Sequence, residues 1–155
     1  MRIRALTGAG AATIAAWRYA GKYSTYDVTD PSDLATDHWA VTEGGELVGY
    51  CCFGAAARVA AAEPAVGTLD IGYGMKPELM GRGRGLRFVA AILEFALRRH
   101  DPQRLRLYVL EWNERSRKVA SAHGFVVESE LRSGDELFLV MVRSARDRVA
   151  GATRA

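Results

Sequence analysis

Met80-Gly81-Arg82-Gly83-Arg84-Gly85 lies between a strand-like run, Leu69-Asp70-Ile71-Gly72-Tyr73-Gly74-Met75, and an almost continuously apolar run from Leu86 to Leu97. A glycine-rich turn that opens a helix presents backbone N–H groups with no partner in the helix. The helix dipole adds partial positive charge at the same point. Such a turn is an anion site, and Arg82, Arg84 and Arg87 strengthen its field. The expected ligand is phosphorylated. Two common nucleotide loops do not fit. A P-loop needs Lys-Ser or Lys-Thr after its last glycine, and Leu86-Arg87 follows here. A dinucleotide fingerprint needs Gly-x-Gly-x-x-Gly at the head of a βαβ unit. Gly81, Gly83 and Gly85 lack that spacing, and hairpins precede them.

Outward from the loop, the chain reads as one α/β domain. Thr68 to Met75 is a strand ended by Lys76-Pro77, and a largely buried helix runs from Gly83 to about Arg99. Arg87, Glu94 and Arg98 form its polar stripe. Leu105 to Leu110 is a strand, and Glu114 to His123 a short helix closed by Gly124. His38–Thr42 with Glu46–Phe53, and Val126–Leu131 with Glu136–Val142, read as hairpins turning at Gly44-Gly45 and Ser133-Gly134. Near the start, Ile3 to Leu6 is a strand and Thr13 to Ala20 a helix capped by Thr13. An aromatic stretch, Trp17 to Tyr26, follows; its rings suit a core better than the wall of a pocket. The domain is expected to span 1–143, with a frayed tail over 144–155.

The 155 residues suit one domain with a full core. Net charge is +3, spread along the chain without the concentrated basic stripe of a nucleic-acid binder. No apolar run approaches the roughly 18 residues of a membrane span. Met1-Arg2-Ile3-Arg4 and the Ala-rich run after it faintly resemble a signal peptide, but Thr7, Gly8, Gly10 and Thr13 interrupt it. Cys51 and Cys52 point to opposite faces of a strand and are read as buried thiols in a reducing, cytoplasmic setting. His38, His100 and His123 are scattered, and no metal-type spacing occurs.

Pro77 to Gly85 resembles the acetyl-CoA signature of the GNAT N-acetyltransferase superfamily, Gln/Arg-x-x-Gly-x-Gly/Ala after a strand and a proline. A second element follows in order: Asn113-Glu114-Arg115-Ser116, then Val119 and Gly124-Phe125, similar to the family's Asn-x-x-Ala/Ser … Gly-Phe segment. The aromatic cluster around Trp17 and Tyr26 looks like the branch that includes ribosomal-protein N-terminal acetyltransferases. The resemblance implies a mixed, mostly antiparallel sheet of six or seven strands with helices on both faces. It implies acetyl transfer from acetyl-CoA to a primary amine, on a small molecule or a protein N-terminus, by direct attack on the thioester. Homodimerisation is an option it leaves open. Pyrophosphate would sit on the N–H groups of Arg82, Gly83, Arg84, Gly85 and Leu86. Pantetheine would extend the strand edge at Gly74 and Met75 and touch Asn113, and a backbone N–H near Met75 would polarise the carbonyl.

Two positions depart from the pattern. Met80 stands where Gln or Arg is usual, leaving only its backbone to the cofactor. Ala120 stands where a tyrosine often serves as general acid. Ser116 matches the branch in which a serine sits near the sulphur, where its hydroxyl can hydrogen-bond a thiolate; its ordinary alternative is a helix-packing serine. Asp70, an acid within an apolar strand, is the candidate base, against the plainer role of a salt-bridged surface aspartate. Glu111 and Glu63 are reserves. The rival functions are a non-catalytic acyl-CoA-binding regulatory domain and an unrelated phosphate-binding protein.

Overall fold

The computed structural model describes residues 1–147 and residue 149. Glycine turns set its hairpins. β2 (His38–Glu43) and β3 (Glu46–Phe53) are joined by Gly44 and Gly45, at φ 59° and 84°. Two successive positive φ values are what a two-residue hairpin turn requires, and glycine adopts them without a Cβ clash. β6 (Val126–Ser133) and β7 (Glu136–Ser144) turn at Gly134 in the same region of φ. With β1 (Arg2–Ala5), β4 (Thr68–Met75) and β5 (Arg104–Leu110), they form one seven-stranded sheet of order β1-β2-β3-β4-β5-β7-β6. All neighbours are antiparallel except β4 and β5. Parallel strands need a crossover, and α2 (Gly85–His100) supplies it.

α2 covers one face of the sheet. Phe88, Val89, Ile92, Leu93 and Ala96 are buried against Ile71, Leu105, Leu107 and Val109 in the main core. Asp101 ends the helix in the left-handed region, after Arg98 and Arg99, whose charge suits the negative end of the dipole. α3 (Glu114–Ala122) packs beside α2, with Asn113 Oδ1 capping it at Ser116 N–H, 3.2 Å away. A smaller cluster of Ala11, Ile14, Trp17 and Leu34 is built around α1 (Gly8–Ala15), with Leu47 and Tyr50 of β3 packed on it.

Two expectations shift. The first helix starts at Gly8 and ends at Ala15, not Thr13 to Ala20. Thr7 is its cap, with Oγ1 accepting from Gly10 N–H at 3.0 Å. Thr13 instead turns its hydroxyl back onto Ala9 O inside the helix. The other shift concerns the expected tail. β7 runs through Ser144, and Arg143 is 3% exposed, donating to the carbonyls of His123, Ser144 and Asp147. Ala145 N–H also donates to Gln103 O. The tail's remaining part, 148 and 150–155, lies outside the described residues. Cys51 and Cys52 are buried on opposite faces, and burial pushes the Cys52 thiol up to about 12. Among the described residues no helix is long and apolar enough to cross a membrane.

His123 closes α3 onto the start of α2. Its Nε2–H donates to Leu86 O at 3.0 Å, while Nδ1 is buried without a partner. Burial holds its pKa below the ordinary value. The unfolded chain therefore takes up a proton first as pH falls through about 6.5, and acid favours unfolding below that point. The melting temperature is expected to fall from pH 7 to pH 5, and less steeply in His123→Gln, whose amide retains a donor for Leu86 O. Equal slopes in thermal melts would exclude His123 as a source of the loss.

Candidate active site

β4 and β5 pair only at Thr68–Arg104, Leu69–Leu105 and Asp70–Arg106. Beyond Asp70 they diverge: β4 stays on β3 through Met75, and β5 stays on β7 through Leu110. The opening is a cleft of about 440 Å³. Backbone groups alternate along a strand between its two neighbours. Lys76 N–H is spent on Val48 O of β3, so Met75 and Tyr73 direct theirs to the open edge. Tyr19 Oη takes up the Met75 carbonyl at 2.7 Å, and the Met75 N–H is the donor left there.

The glycine loop borders the same cleft. Gly81 and Gly83 have φ of 71° and 73°, and a Cβ at Gly83 would meet nothing within 4 Å. The loop thus leaves open room above a backbone that only glycine adopts without strain. The first turn of α2 has no side-chain cap and no acidic residue. Phe88 N–H to Arg84 O is its first helical bond, so the N–H groups of Gly85, Leu86 and Arg87 precede the ladder. Gly85 answers a different need: a Cβ there would stand 3.1 Å from Val119 of α3. Met80, Arg84, Arg115 and Lys118 also line the cleft. Arg82 is exposed on the loop. Arg84 and Arg87 are not free: both bind Glu43 at the end of β2, whose carboxyl the Arg87 hydrogen bond holds below the usual range. Glu43→Gln should release both guanidiniums and tighten binding of a phosphorylated ligand at the loop several-fold at low salt, an advantage that shrinks as salt rises. Calorimetric titration at two ionic strengths checks this; unchanged affinity at low salt would place both arginines outside the anion's reach.

At the other side of the cleft, Asn113 both caps α3 and donates from Nδ2 to Tyr26 Oη at 2.8 Å. Ser116 and Tyr73 line the cleft together. Tyr73 Oη is buried with no hydrogen-bond partner. Burial raises its pKa, and the nearby Ser116 side chain opposes that rise. An unpaired buried hydroxyl costs free energy, and one facing a cleft is available to a ligand. Tyr73 was missed in the sequence because alternation assigns it to the core face. It does pack on Phe88 there, and it is also one of the residues that line the cleft. The aromatic stretch divides: Trp17 is core, while Tyr19, Tyr23 and Tyr26 wall the cleft with Tyr108.

Asp70 does not line the cleft. Its side chain is wholly buried and accepts from Arg106 Nε at 2.5 Å and Nη2 at 3.0 Å, from Arg58 Nε at 2.9 Å and from Tyr108 Oη at 3.1 Å. Both carboxylate oxygens are taken up by these donors, so the structure holds Asp70 in an ion pair that is internal rather than on the surface, and not beside the cleft where a base was expected. Glu63 and Glu111 are exposed and away from the cleft. Ala120, where a tyrosine was sought, is 0% exposed in the main core. Among the described residues no three His, Cys, Asp or Glu side chains gather as a metal site.

Residues 4–126 match the family described as Acetyltransferase (GNAT) domain. Several solved structures share the fold. The aminoglycoside acetyltransferase AAC(6')-Ib, in complex with ribostamycin and coenzyme A, superposes with a TM-score of 0.77 at 17% identity, covering 99% of this chain and 98% of that one. A spermidine N-acetyltransferase chimera of SpeG from Vibrio cholerae and hSSAT gives 0.71 at 13%, over 92% and 94%. RimJ from Mycobacterium smegmatis, with CoA-disulfide, gives 0.66 at 19%, over 92% and 81%. This spread does not single out the branch with ribosomal-protein N-terminal acetyltransferases. No curated protein is detectably similar in sequence.

Proposed function

The chain belongs to the GNAT acetyltransferase family, and on that premise we propose that it moves an acetyl group from acetyl-CoA to a primary amine by direct attack on the thioester. The observation that carries this reading is one cleft joining an open glycine cradle at a helix N-terminus to an unpaired strand edge. That combination suits a ligand with a polyanionic end and an extended amide arm. The N–H groups of Arg82 to Leu86 would hold the pyrophosphate. Gly74, Met75 and Asn113 would meet the arm, and Met80 and Gly81 would border it. Acetyl-CoA supplies an activated acyl group when bound.

Direct transfer fits the side chains present. No cleft residue pairs a nucleophile with a base: Ser116 has no histidine or carboxylate among the cleft residues, and both cysteines lie elsewhere. The Met75 N–H, its own carbonyl fixed by Tyr19, is the donor for negative charge developing on the carbonyl oxygen. Ser116 and Tyr73 are the hydroxyls for the sulphur. With no acid or imidazole lining the cleft, the amine loses its proton to water or arrives neutral. The same lack favours the second reading, a non-catalytic acyl-CoA-binding domain. Thiol release from acetyl-CoA across a panel of amines separates the two. Turnover is expected, with Ser116→Ala lowering kcat and leaving acetyl-CoA affinity nearly unchanged. Tight acetyl-CoA binding without release from any amine would sink the enzyme.

A further inference from the structure

We infer that the amine acceptor is a monoamine carried on a neutral aromatic body, and not a polycation of the aminoglycoside or polyamine kind; this rests on the acetyltransferase reading above. Four tyrosines, Tyr19, Tyr23, Tyr26 and Tyr108, wall the cleft where it passes Met75 and Asn113. Tyr19, Tyr23 and Tyr26 are braced as a unit with Trp112. Tyr23 stands edge-on to Trp112 at 5.1 Å, Tyr19 edge-on to Tyr26 at 6.5 Å, and Tyr26 lies 6.0 Å from Trp112. Three of the hydroxyls are already engaged: Tyr19 on Met75 O, Tyr26 with Asn113, and Tyr108 on Asp70. What the wall offers a ligand is therefore mainly ring surface, which favours a flat apolar body.

Charge decides against the polycation. Among the described residues no Asp, Glu or His lines the cleft, whereas Arg115 and Lys118 do, with Arg84 already paired to Glu43. The acids near the tyrosines are outside it, Asp70 behind Tyr108 among them. Asp27 accepts from Tyr19 N–H at 2.9 Å and Glu136 from Thr25 Oγ1 at 2.8 Å, while Glu78 acts on Tyr19 from beyond the lining. Aromatic faces can themselves bind ammonium groups, but here the chain's own cations are on them. Lys22 Nζ lies 4.7 Å from the Trp112 centroid, and the Arg115 guanidinium 5.4 Å from that of Tyr23. Each additional ammonium of a polyamine would lose water without gaining a counter-ion, beside two fixed positive charges. A single amine meets the opposite condition. Burial lowers its pKa and favours the neutral nucleophile that the reaction needs.

The test is thiol release from acetyl-CoA with tyramine and tryptamine, with spermidine and kanamycin, and with a short uncharged peptide bearing a free α-amine. We expect kcat/KM for the two arylalkylamines to exceed that for spermidine and kanamycin by about tenfold or more. Tyr23→Glu, which puts an acid on the wall, should narrow the gap from both sides and leave the KM for acetyl-CoA unchanged. Equal or better turnover of spermidine or kanamycin would overturn the inference and leave the acetyltransferase standing. So would a preference for the peptide over both arylalkylamines. Release from none of the five, with acetyl-CoA bound, would overturn both.

Discussion

Asp70→Asn is expected to destabilise the protein by about 3–5 kcal/mol, the cost of leaving a buried guanidinium without its counter-charge. Asp70 sits on β4 directly across from Arg106 on β5, in the last pair before the strands part. Its carboxylate is wholly buried, and Arg106 is 9% exposed. Asparagine keeps the size but offers one acceptor oxygen where two now serve Arg106, Arg58 and Tyr108. Arg106 cannot shed its charge in response, since a guanidinium stays protonated in proteins. At about 2–4 °C per kcal/mol for a domain of this size, the melting temperature should fall by roughly 10 °C. Arg58→Ala should cost much less, because its side chain is 20% exposed and water can replace it. A variant Asp70→Asn that melts like the wild type but loses turnover would restore Asp70 as a base. The expected activity change is instead a higher KM for the amine, because Tyr108 in the cleft wall loses the acceptor that holds it.

The same residue shows where sequence reading succeeds and where it stops. Alternation along Thr68–Met75 sets Asp70, Gly72 and Gly74 on one face and Ile71, Tyr73 and Met75 on the other, and the sheet keeps that division. Local pattern was enough because strand, proline stop, glycine turn and apolar helix each have their own periodicity or backbone demand. Pattern does not reveal the partner across a strand pair. Arg104 and Arg106 alternate visibly in the sequence, but their register against Asp70 follows only from the packing of α2 between the strands. The apolar pattern pointed to Thr13 as the cap, whereas Thr7 holds that place, because Gly8 and Gly10 begin the helix and do not precede it; a Cβ at Gly10 would stand 2.9 Å from Leu6 Cδ1. Site residues split along the same line. The glycine loop and Asn113-x-x-Ser116 have local backbone roles and were readable. Tyr19, Tyr23, Tyr26 and Tyr108 come from two separated segments, and their common wall exists only in three dimensions.

Tyr73→Phe is expected to lower kcat by about a hundredfold while making the protein more stable, by about 1 kcal/mol or more. The two signs share one cause. Tyr73 Oη is a buried hydroxyl with no well-formed hydrogen bond, only the nearby Ser116 side chain acting on it, so folding strips it of water for little return. Phenylalanine fills the same volume against Phe88 and removes that cost. On the proposed mechanism that hydroxyl would be an advantage: it would have no strong bond to break before donating to the sulphur as the C–S bond opens. Its raised pKa keeps it protonated through the working range, so it serves as a hydrogen-bond donor and not as a base. Removing one aligned donor or proton-transfer group from an active site costs about two orders of magnitude. The KM for acetyl-CoA should stay within a few-fold, because the phosphate and strand-edge contacts lie elsewhere. Ser116→Ala should also reduce kcat, and the double variant should be little slower than the slower single one, since both hydroxyls would serve one atom. Urea melts and steady-state kinetics on the four proteins decide the matter. A variant that is more stable and fully active would make Tyr73 a packing residue alone. One that is less stable would mean that Tyr73 Oη has a partner in the folded protein, and losses that multiply would separate its role from that of Ser116.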